Sequence, residues 1–256
     1  MIDYEQIELP GGQRGFRKFI PQGSSDCFLA EAEGLAAIAA TQTIATSRVI
    51  SVNNSELITE LIDSGPASND GWCELGRLLA HMHLLTQPCF GFTADNYCGA
   101  TPQINTHCTN GNEFFAEYRL NYQGRLARDA ALLNSADIRL LESISGRLEQ
   151  LVPLQAPALL HGDLWRGNVL FDTSGKARLI DPACYWGWPE AELGMTTLFG
   201  AFDPGFYRAY AEHMPLEPGW RKRLPLYNLY HLLNHLNLFG ASYYTQVKAI
   251  LFKLGS

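Results

Sequence analysis

The sequence predicts an α+β fold with two lobes, a small antiparallel sheet with one helix followed by a larger, mainly helical lobe. Short strand patterns alternate with one helical pattern over the first 62 residues. A run of turn-forming residues, SGPASN at 64–69, then interrupts the chain. Beyond it, most apolar residues recur at helical spacing. We therefore expect an N-terminal lobe of residues 1–63 and a C-terminal lobe of residues 64–256.

The N-terminal lobe is predicted to open with a hairpin, strands 6–9 and 16–20 around a glycine-containing turn, and to continue with a helix over 26–40. Glu31 falls on the apolar stripe of that helix, and a carboxylate facing inward needs a partner. Lys18, in the second strand, is the natural candidate. Two further strands are expected over 48–51 and 56–62.

In the C-terminal lobe, five further helices are expected, one of them opened by Pro189 and carrying Glu190. Their apolar positions predict packing, and His81, His83, His231 and His235 are expected to be core or surface residues because their spacings fit no common zinc motif. The other four are a helix with an apolar stripe from Trp72 to Met82, a helix over residues 114–120, a helix capped by Ser135 that runs to Leu151, and a helix opened by Pro225 that runs to Phe239.

The stretch 161–168, HGDLWRGN, lies between residues 157–160, which read as a strand, and a predicted hairpin with strands 169–171 and 178–180. Antiparallel pairing puts Asn168 and Asp181 side by side at the open end of this hairpin, within roughly 5 Å. One amide oxygen and one carboxylate then face the same point.

Asp163 precedes Asn168 by five residues, which is the Asp-x-x-x-x-Asn spacing of a kinase catalytic loop. There the Asp receives the proton of the acceptor hydroxyl and the Asn holds magnesium, for which Asp181 would be the second ligand. Lys18 and Glu31 then correspond to the strand lysine and helix glutamate that hold the ATP phosphates. The alternative is a tight loop in which Asp163 and Asn168 only cap backbone amides.

HGDLWRGN, followed by IDPACYWG at 180–187, resembles the fructosamine kinase (ketosamine kinase) family. Trp165 sets this motif apart from the broader His-Gly-Asp pattern of aminoglycoside phosphotransferases and choline kinases, which share the protein-kinase-like fold. Further similar motifs are FLAEA, TPQINT, FFAE and YNLY. The resemblance implies ATP-dependent, Mg²⁺-dependent phosphorylation of the 3-hydroxyl of a ketosamine, such as a fructosamine or a ribulosamine.

The resemblance also implies roles for individual residues. Asp163 accepts or orients the hydroxyl proton, His161 braces the loop, and the other proposed ligands are Asn168 and Asp181 for Mg²⁺ and Lys18 and Glu31 for the phosphates. Backbone groups of Glu60 and Ile62 are expected to meet the adenine, and the candidate acceptor-site residues are Trp165, Tyr185 and Glu190.

The chain departs from the family at the nucleotide loop. Too few residues precede Lys18 for both a Gly-rich strand-turn-strand and the next turn, so we expect that loop to be missing or reduced. Gly11, Gly12 and Gly15 are predicted to belong to the turn before the lysine strand, and a shortened phosphate loop is the alternative.

Bulk properties favour a small-molecule or protein-linked ketosamine substrate. The net charge is -7 with no run of Lys or Arg longer than three residues, so nothing favours nucleic acid or an anionic membrane surface. No signal-peptide pattern or membrane-span pattern is present, and the six scattered cysteines are expected to be reduced thiols, so we expect a cytoplasmic location. The sequence does not predict the oligomeric state.

Two other functions stay open. A related kinase that acts on an aminoglycoside or another amino-alcohol would keep the same metal ligands and differ in the acceptor pocket. A pseudokinase that binds a ligand without turnover is favoured by the short N-terminus and opposed by the intact set of Asp163, Asn168 and Asp181.

Overall fold

A computed structural model describes residues 2–255, which form two compact units that interleave along the chain. Unit 1 comprises Met1–Leu85, His161–Cys184 and Ala201–Pro215, and unit 2 comprises Thr86–Leu160, Tyr185–Gly200 and Leu216–Ser256. A lobe boundary after residue 63 stays a prediction. Within the described range, no helix is both long enough and apolar enough to cross a bilayer.

Unit 1 contains a four-stranded antiparallel sheet whose strands, in spatial order, are β1 (Asp3–Glu8), β2 (Arg14–Phe19), β5 (Glu56–Glu60) and β4 (Val49–Val52). Lys18 lies opposite Tyr4 on one neighbouring strand and opposite Leu57 on the other, so its strand is central. The predicted strands are confirmed with shifted bounds.

The turn between β1 and β2 contains two glycines in the left-handed region. Gly11 has φ 86° and Gly12 has φ 78°, values that a side chain disfavours. The Leu9 amide donates to the Gln13 carbonyl at 2.7 Å and closes the hairpin. Gly11 and Gly12 form the expected hairpin turn, whereas the prediction for Gly15 was wrong because Gly15 lies within β2, paired with Glu60.

Helix α1 (Cys27–Ala40) packs its apolar face toward the sheet. Its buried positions, Phe28, Gly34, Leu35 and Ile38, fall at i, i+6, i+7 and i+10 and form one stripe. The helix lies against β4, β5 and the short strand β3 (Ala45–Thr46).

A second sheet of unit 1 carries the predicted hairpin. Strands β9 (Val169–Phe171) and β10 (Ala177–Leu179) pair in antiparallel fashion, with Val169 opposite Leu179, and β10 pairs in parallel with β3. A 3₁₀ turn, Arg166–Asn168, leads into β9. The unit is completed by α2 (Asn69–His83), capped by Ser68, and α8 (Pro204–His213), which pack against each other.

Unit 2 is mainly helical, with two short antiparallel strand pairs, β6 with β7 and β8 with β11. Its strands are β6 (Asn96–Cys98), β7 (Thr101–Gln103), β8 (Ala158–Leu160) and β11 (Tyr185–Gly187). Its helices are α3 (Gly111–Phe115), α4 (Tyr122–Asp129), α5 (Ser135–Ser145), α6 (Leu148–Leu151), α7 (Pro189–Leu198), α9 (Trp220–Phe239) and α10 (Tyr244–Gly255), with a π-helical turn at Ala116–Asn121 and a 3₁₀ turn at Ala241–Tyr243.

Two helix predictions in unit 2 were wrong in detail. The helix expected over 135–151 is capped by Asn134 rather than Ser135, because Asn134 and Asp137 form a reciprocal capping box, and it ends at Ser145 before α6 begins. The helix expected to start at Pro225 starts at Trp220. The proline removes only one hydrogen bond, and burial of the residues after it offsets that loss.

The four histidines considered as possible zinc ligands in the sequence lie in the core or contact a neighbouring residue. His83 is fully buried and its Nδ1 lies 2.7 Å from the Tyr210 hydroxyl, whereas His81 stands beside Arg77. Burial lowers the pKa of His231 to about 3, so its ring is neutral. His235 Nδ1 lies 2.8 Å from the His231 carbonyl oxygen, a contact within α9.

Candidate active site

Residues 161–168 form a loop that is braced by His161. The His161 ring is fully buried, and its Nε2 lies 2.8 Å from the Ile180 carbonyl oxygen. Its Nδ1 accepts the Asp163 amide proton at 3.3 Å. A carbonyl can only accept, so Nε2 carries the proton and the ring is neutral. His161 therefore ties the loop to the segment before Asp181.

Gly162 is required where the loop touches that segment. Its φ is 82°, and a Cβ atom there would lie 1.9 Å from the Ala183 carbonyl oxygen. The Ala183 amide donates to the His161 carbonyl at 2.8 Å across the same contact. The Gly in the motif therefore permits a backbone approach that any side chain would block.

Asn168 and Asp163 orient each other. The Asn168 amide nitrogen lies 2.8 Å from the Asp163 carbonyl oxygen and 3.1 Å from Asp163 Oδ2. Both of these atoms accept hydrogen bonds, so the amide must present its NH₂ group to Asp163 and turn its oxygen away. The Asn168 oxygen is then the atom available to a cation.

Asp181 sits next to Asn168 in a strained backbone conformation. The amide of Ile180, just before it, donates to the Asn168 carbonyl at 3.2 Å, as the predicted hairpin requires. Asp181 has φ 56°, a left-handed value that costs an ordinary residue about 1 kcal/mol or more. Its side chain is 42% exposed, so the Asp181 carboxylate is partly accessible to a ligand.

Lys18 bridges two carboxylates. Its Nζ lies 2.7 Å from Glu31 Oε1, as predicted, and 2.6 Å from Asp181 Oδ1. Burial alone would lower the pKa of Lys18, but the charges of Glu31 and Asp181 outweigh it and raise the pKa. Burial raises the pKa of Glu31, since it outweighs the attraction of Lys18. One buried ammonium thus joins β2, α1 and the hairpin.

Glu60, in the predicted adenine-binding segment, forms a salt bridge with the β9–β10 hairpin. The Glu60 amide donates to the Arg48 carbonyl at 2.9 Å, and the Glu60 carbonyl accepts from Ser47 Oγ at 3.1 Å. The Glu60 carboxylate accepts from Arg178, in β10, at 3.1 Å. Ile62 lies beyond the end of β5, and its backbone makes no hydrogen bond with any residue between 2 and 255.

The three candidate acceptor residues lie in different settings. Trp165, in unit 1, is 37% exposed and its ring covers Gly167, where a Cβ atom would lie 2.3 Å from the ring. Tyr185, in unit 2, is buried with the guanidinium of Arg119 4.0 Å from its ring centre. Glu190, also in unit 2, is 2% exposed. Its oxygens accept from Arg223 at 2.7 and 2.5 Å and from the Tyr227 hydroxyl at 3.1 Å.

Sequence reasoning missed a buried polar network in unit 2. Arg119 is fully buried, donates to the Ile104 carbonyl and to Asn105 Oδ1 at 2.7 Å each, and stacks on Phe114 and Tyr185. The TPQINT motif thus supplies acceptors for a buried cation. No periodic signal reveals such a residue, because an arginine in a helix is ordinarily read as exposed.

The fold and this set of residues define a protein-kinase-like phosphotransferase class. An aminoglycoside phosphotransferase with a TM-score of 0.62 is 16% identical and shows the shared fold alone. A candidate fructosamine-3-kinase from Thermobifida fusca has a TM-score of 0.91 at 35% identity, over 98% of this chain and 92% of that chain.

The fructosamine kinase family model matches residues 4–255. The chain belongs to the fructosamine kinase family. It is 42% identical to a probable ketoamine kinase of Synechocystis, over 95% of this chain and 83% of the relative. It is also 42% identical to the chloroplastic protein-ribulosamine 3-kinase of Arabidopsis thaliana, over 88% of this chain and 71% of the relative.

Proposed function

We propose that this protein is a ketosamine kinase that transfers the γ-phosphate of ATP to the 3-hydroxyl of a fructosamine or ribulosamine. The observation that carries the proposal is the joint placement, within unit 1, of the Asp163–Asn168 pair and the Lys18 bridge between Glu31 and Asp181. The names of the relatives support the ketosamine as acceptor.

The donor atoms at Asn168 and Asp181 fit a hard divalent cation. One is an amide oxygen turned away from Asp163, and the other belongs to a partly exposed carboxylate. Mg²⁺ prefers such oxygen ligands together with phosphate oxygens. When bound, Mg²⁺ would neutralise charge on the ATP phosphates, while the two side chains fix its place in the loop.

Asp163 is proposed to receive the proton of the acceptor hydroxyl. Its Oδ2 is oriented by the Asn168 amide, so the same asparagine that offers an oxygen to the cation also aims the base. A positioned carboxylate within hydrogen-bond reach contributes typically 10²- to 10⁴-fold to a rate. His161 accepts a hydrogen bond from the Asp163 backbone amide and is proposed to position the loop.

Lys18 is proposed to hold the ATP phosphates. The two carboxylates fix its ammonium and keep it charged, and Glu31 belongs to the helix that faces the strand. The Glu60 carbonyl and the Ile62 backbone are proposed to meet the adenine. Glu60 ends β5, the strand next to that of Lys18, and Ile62 follows two residues later.

For the acceptor, Trp165 offers a partly exposed aromatic face two residues from Asp163, suited to the carbon-bound hydrogens of a sugar. Tyr185 and Glu190 remain proposed acceptor-site residues. Because Glu190 is buried and already accepts three hydrogen bonds from Arg223 and Tyr227, direct contact with an amine would require the surrounding side chains to move. The acceptor is proposed to be free or protein-linked, and the cytoplasmic location stays a prediction from sequence.

Turnover with a panel of acceptors tests the proposal. ATP consumption with Mg²⁺ would be measured against a fructosamine, a ribulosamine, an aminoglycoside and a simple amino-alcohol. We expect turnover with the ketosamines and little with the others. Preference for the amino-alcohols would establish the related kinase instead, and nucleotide binding without turnover on any acceptor would establish the pseudokinase.

A further inference from the structure

Helix α1 contains a single glycine in an alanine-rich sequence, CFLAEAEGLAAIAA. Alanine is the best helix former, and only proline is worse than glycine inside a helix. Gly34 therefore weakens the helix that carries Glu31. Its presence in the middle of the helix requires a reason other than helix formation.

Gly34 lies buried where α1 touches the chain just after Asp181. A Cβ atom at residue 34 would lie 3.1 Å from Cγ of Pro182 and 3.4 Å from Sγ of Cys184. The buried Cys184 thiol donates to the Gly34 carbonyl, with an S···O distance of 3.4 Å. A methyl group there would require Pro182 or the helix to shift by a few tenths of an ångström.

The same helix and the same segment meet at a second point through Lys18. Glu31 lies three residues before Gly34, hence on the same side of the helix, and Asp181 directly precedes Pro182. Lys18 Nζ contacts both carboxylates at 2.7 and 2.6 Å. The approach allowed at Gly34 therefore sets the distance that one ammonium must span.

We propose that Gly34 is a positioning residue, whose missing side chain lets α1 approach Pro182 closely enough for Lys18 to bridge Glu31 and Asp181. Gly34 touches neither nucleotide nor acceptor in this scheme and acts through Glu31. The kinetic part of the test rests on the proposed kinase activity, whereas the geometry belongs to unit 1 alone.

Two substitutions on α1 separate positioning from stability. Gly34→Ala improves helix propensity, so we expect an unchanged or higher Tm. The added methyl group prevents the close approach of α1 to Pro182, so we expect a roughly 3- to 10-fold loss in kcat/KM for ATP. The KM for the acceptor should not change. Ala36→Gly, at an exposed position of the same helix, is the matched control. It should lower the Tm by about 2–4 °C and leave kcat/KM for ATP unchanged.

A double-mutant cycle identifies the partner. Pro182→Ala removes the Cγ atom that a residue-34 side chain would meet, so adding Gly34→Ala in that background should change kcat/KM for ATP less than about twofold. An equal loss with and without the proline ring would overturn the assignment of the contact. Full activity of a folded Gly34→Ala protein would overturn the positioning role.

A crystal structure of Gly34→Ala supplies a readout that does not depend on activity. We expect the contact between Lys18 Nζ and Glu31 Oε1 to lengthen by a few tenths of an ångström, while an unchanged contact would overturn the inference. If the wild-type protein phosphorylates no acceptor, the proposed function fails, and this structural comparison still decides the role of Gly34.

Discussion

Asp163 and Asn168 form the smallest unit of the site, because each fixes the other. The Asn168 NH₂ group donates to the carbonyl and carboxylate of Asp163, which leaves the side-chain oxygen available to a cation. A single amide thereby links the proposed base to the proposed metal ligand. Substitutions at either residue should accordingly affect chemistry more than folding.

Asp163→Asn should lower kcat by roughly two to four orders of magnitude, the scale of a lost general base. The fold should be intact, since the Asn168 amide keeps its hydrogen bond to the residue-163 carbonyl. Steady-state kinetics and thermal melting would be measured together. Asp129→Asn, at an exposed position of α4, is the control and should leave kcat unchanged. Near wild-type turnover of Asp163→Asn would remove Asp163 from its role.

Asp181→Ala should abolish the dependence of nucleotide binding on Mg²⁺. An amide oxygen alone is a poor site for a cation that prefers carboxylate and phosphate oxygens. Calorimetric titration of ATP with and without Mg²⁺ would compare the variant with the wild type. If the variant still gains affinity from Mg²⁺ as the wild type does, the metal assignment is wrong.

At the scale of elements, the β9–β10 hairpin holds Asn168 and Asp181 together, and its turn is organised by Asp172. The Asp172 carboxylate accepts from the Ser174 hydroxyl at 2.6 Å and from the Ser174 and Lys176 amides at 2.9 and 3.1 Å. These bonds, the Ser174 hydroxyl first, lower the pKa of Asp172 from 3.8 to about 2. Folding therefore favours the charged carboxylate.

The sign of this shift predicts a pH dependence. A depressed pKa contributes stability in full above pH 3.8, and the contribution is lost as pH falls through about 2. Asp172→Asn should lower the Tm near neutral pH and flatten the fall in Tm between pH 4 and 2. Melting curves across that range, with Asp129→Asn as the control, would check it. A variant whose Tm falls with pH in parallel with the wild type would contradict the role of the turn.

The sequence predicted this element well because its signals are local. Alternating apolar residues around a polar turn defined the hairpin, and kinase spacing placed Asp163 near Asn168. Local signals also caused the errors, since Asn134 and Ser135 are both good caps and only the reciprocal bond with Asp137 decides between them.

Other features of the site depend on packing between distant segments. Lys18 and Asp181 are 163 positions apart, and the second carboxylate on Lys18 was not predicted. Likewise, the approach of Gly162 to Ala183 and the contact of Arg178 with Glu60 have no signature in one sequence. The single glycine in α1 was visible, but its neighbour Pro182 was not.

At the scale of the whole molecule, one unit gathers the nucleotide-site and catalytic candidates from two separate stretches of the chain. Lys18 comes from the sheet, Glu31 from α1, and Asp163, Asn168 and Asp181 from the loop and hairpin. The protein has a net charge of -7, so an anionic nucleotide depends on local positive charge. The structure offers Lys18 for this purpose, with Mg²⁺ proposed beside it.

The central claim is that this site transfers phosphate to a ketosamine, and ³¹P NMR of the reaction products tests it most directly. The protein would be incubated with ATP, Mg²⁺ and a ribulosamine or fructosamine, with Asp163→Asn in parallel. We predict that the wild-type protein forms a phosphomonoester coupled to the proton on sugar carbon 3 as the ATP γ-phosphate disappears, and that Asp163→Asn forms almost none. Phosphorylation of another acceptor but of no ketosamine, or equal product from Asp163→Asn, would contradict the account.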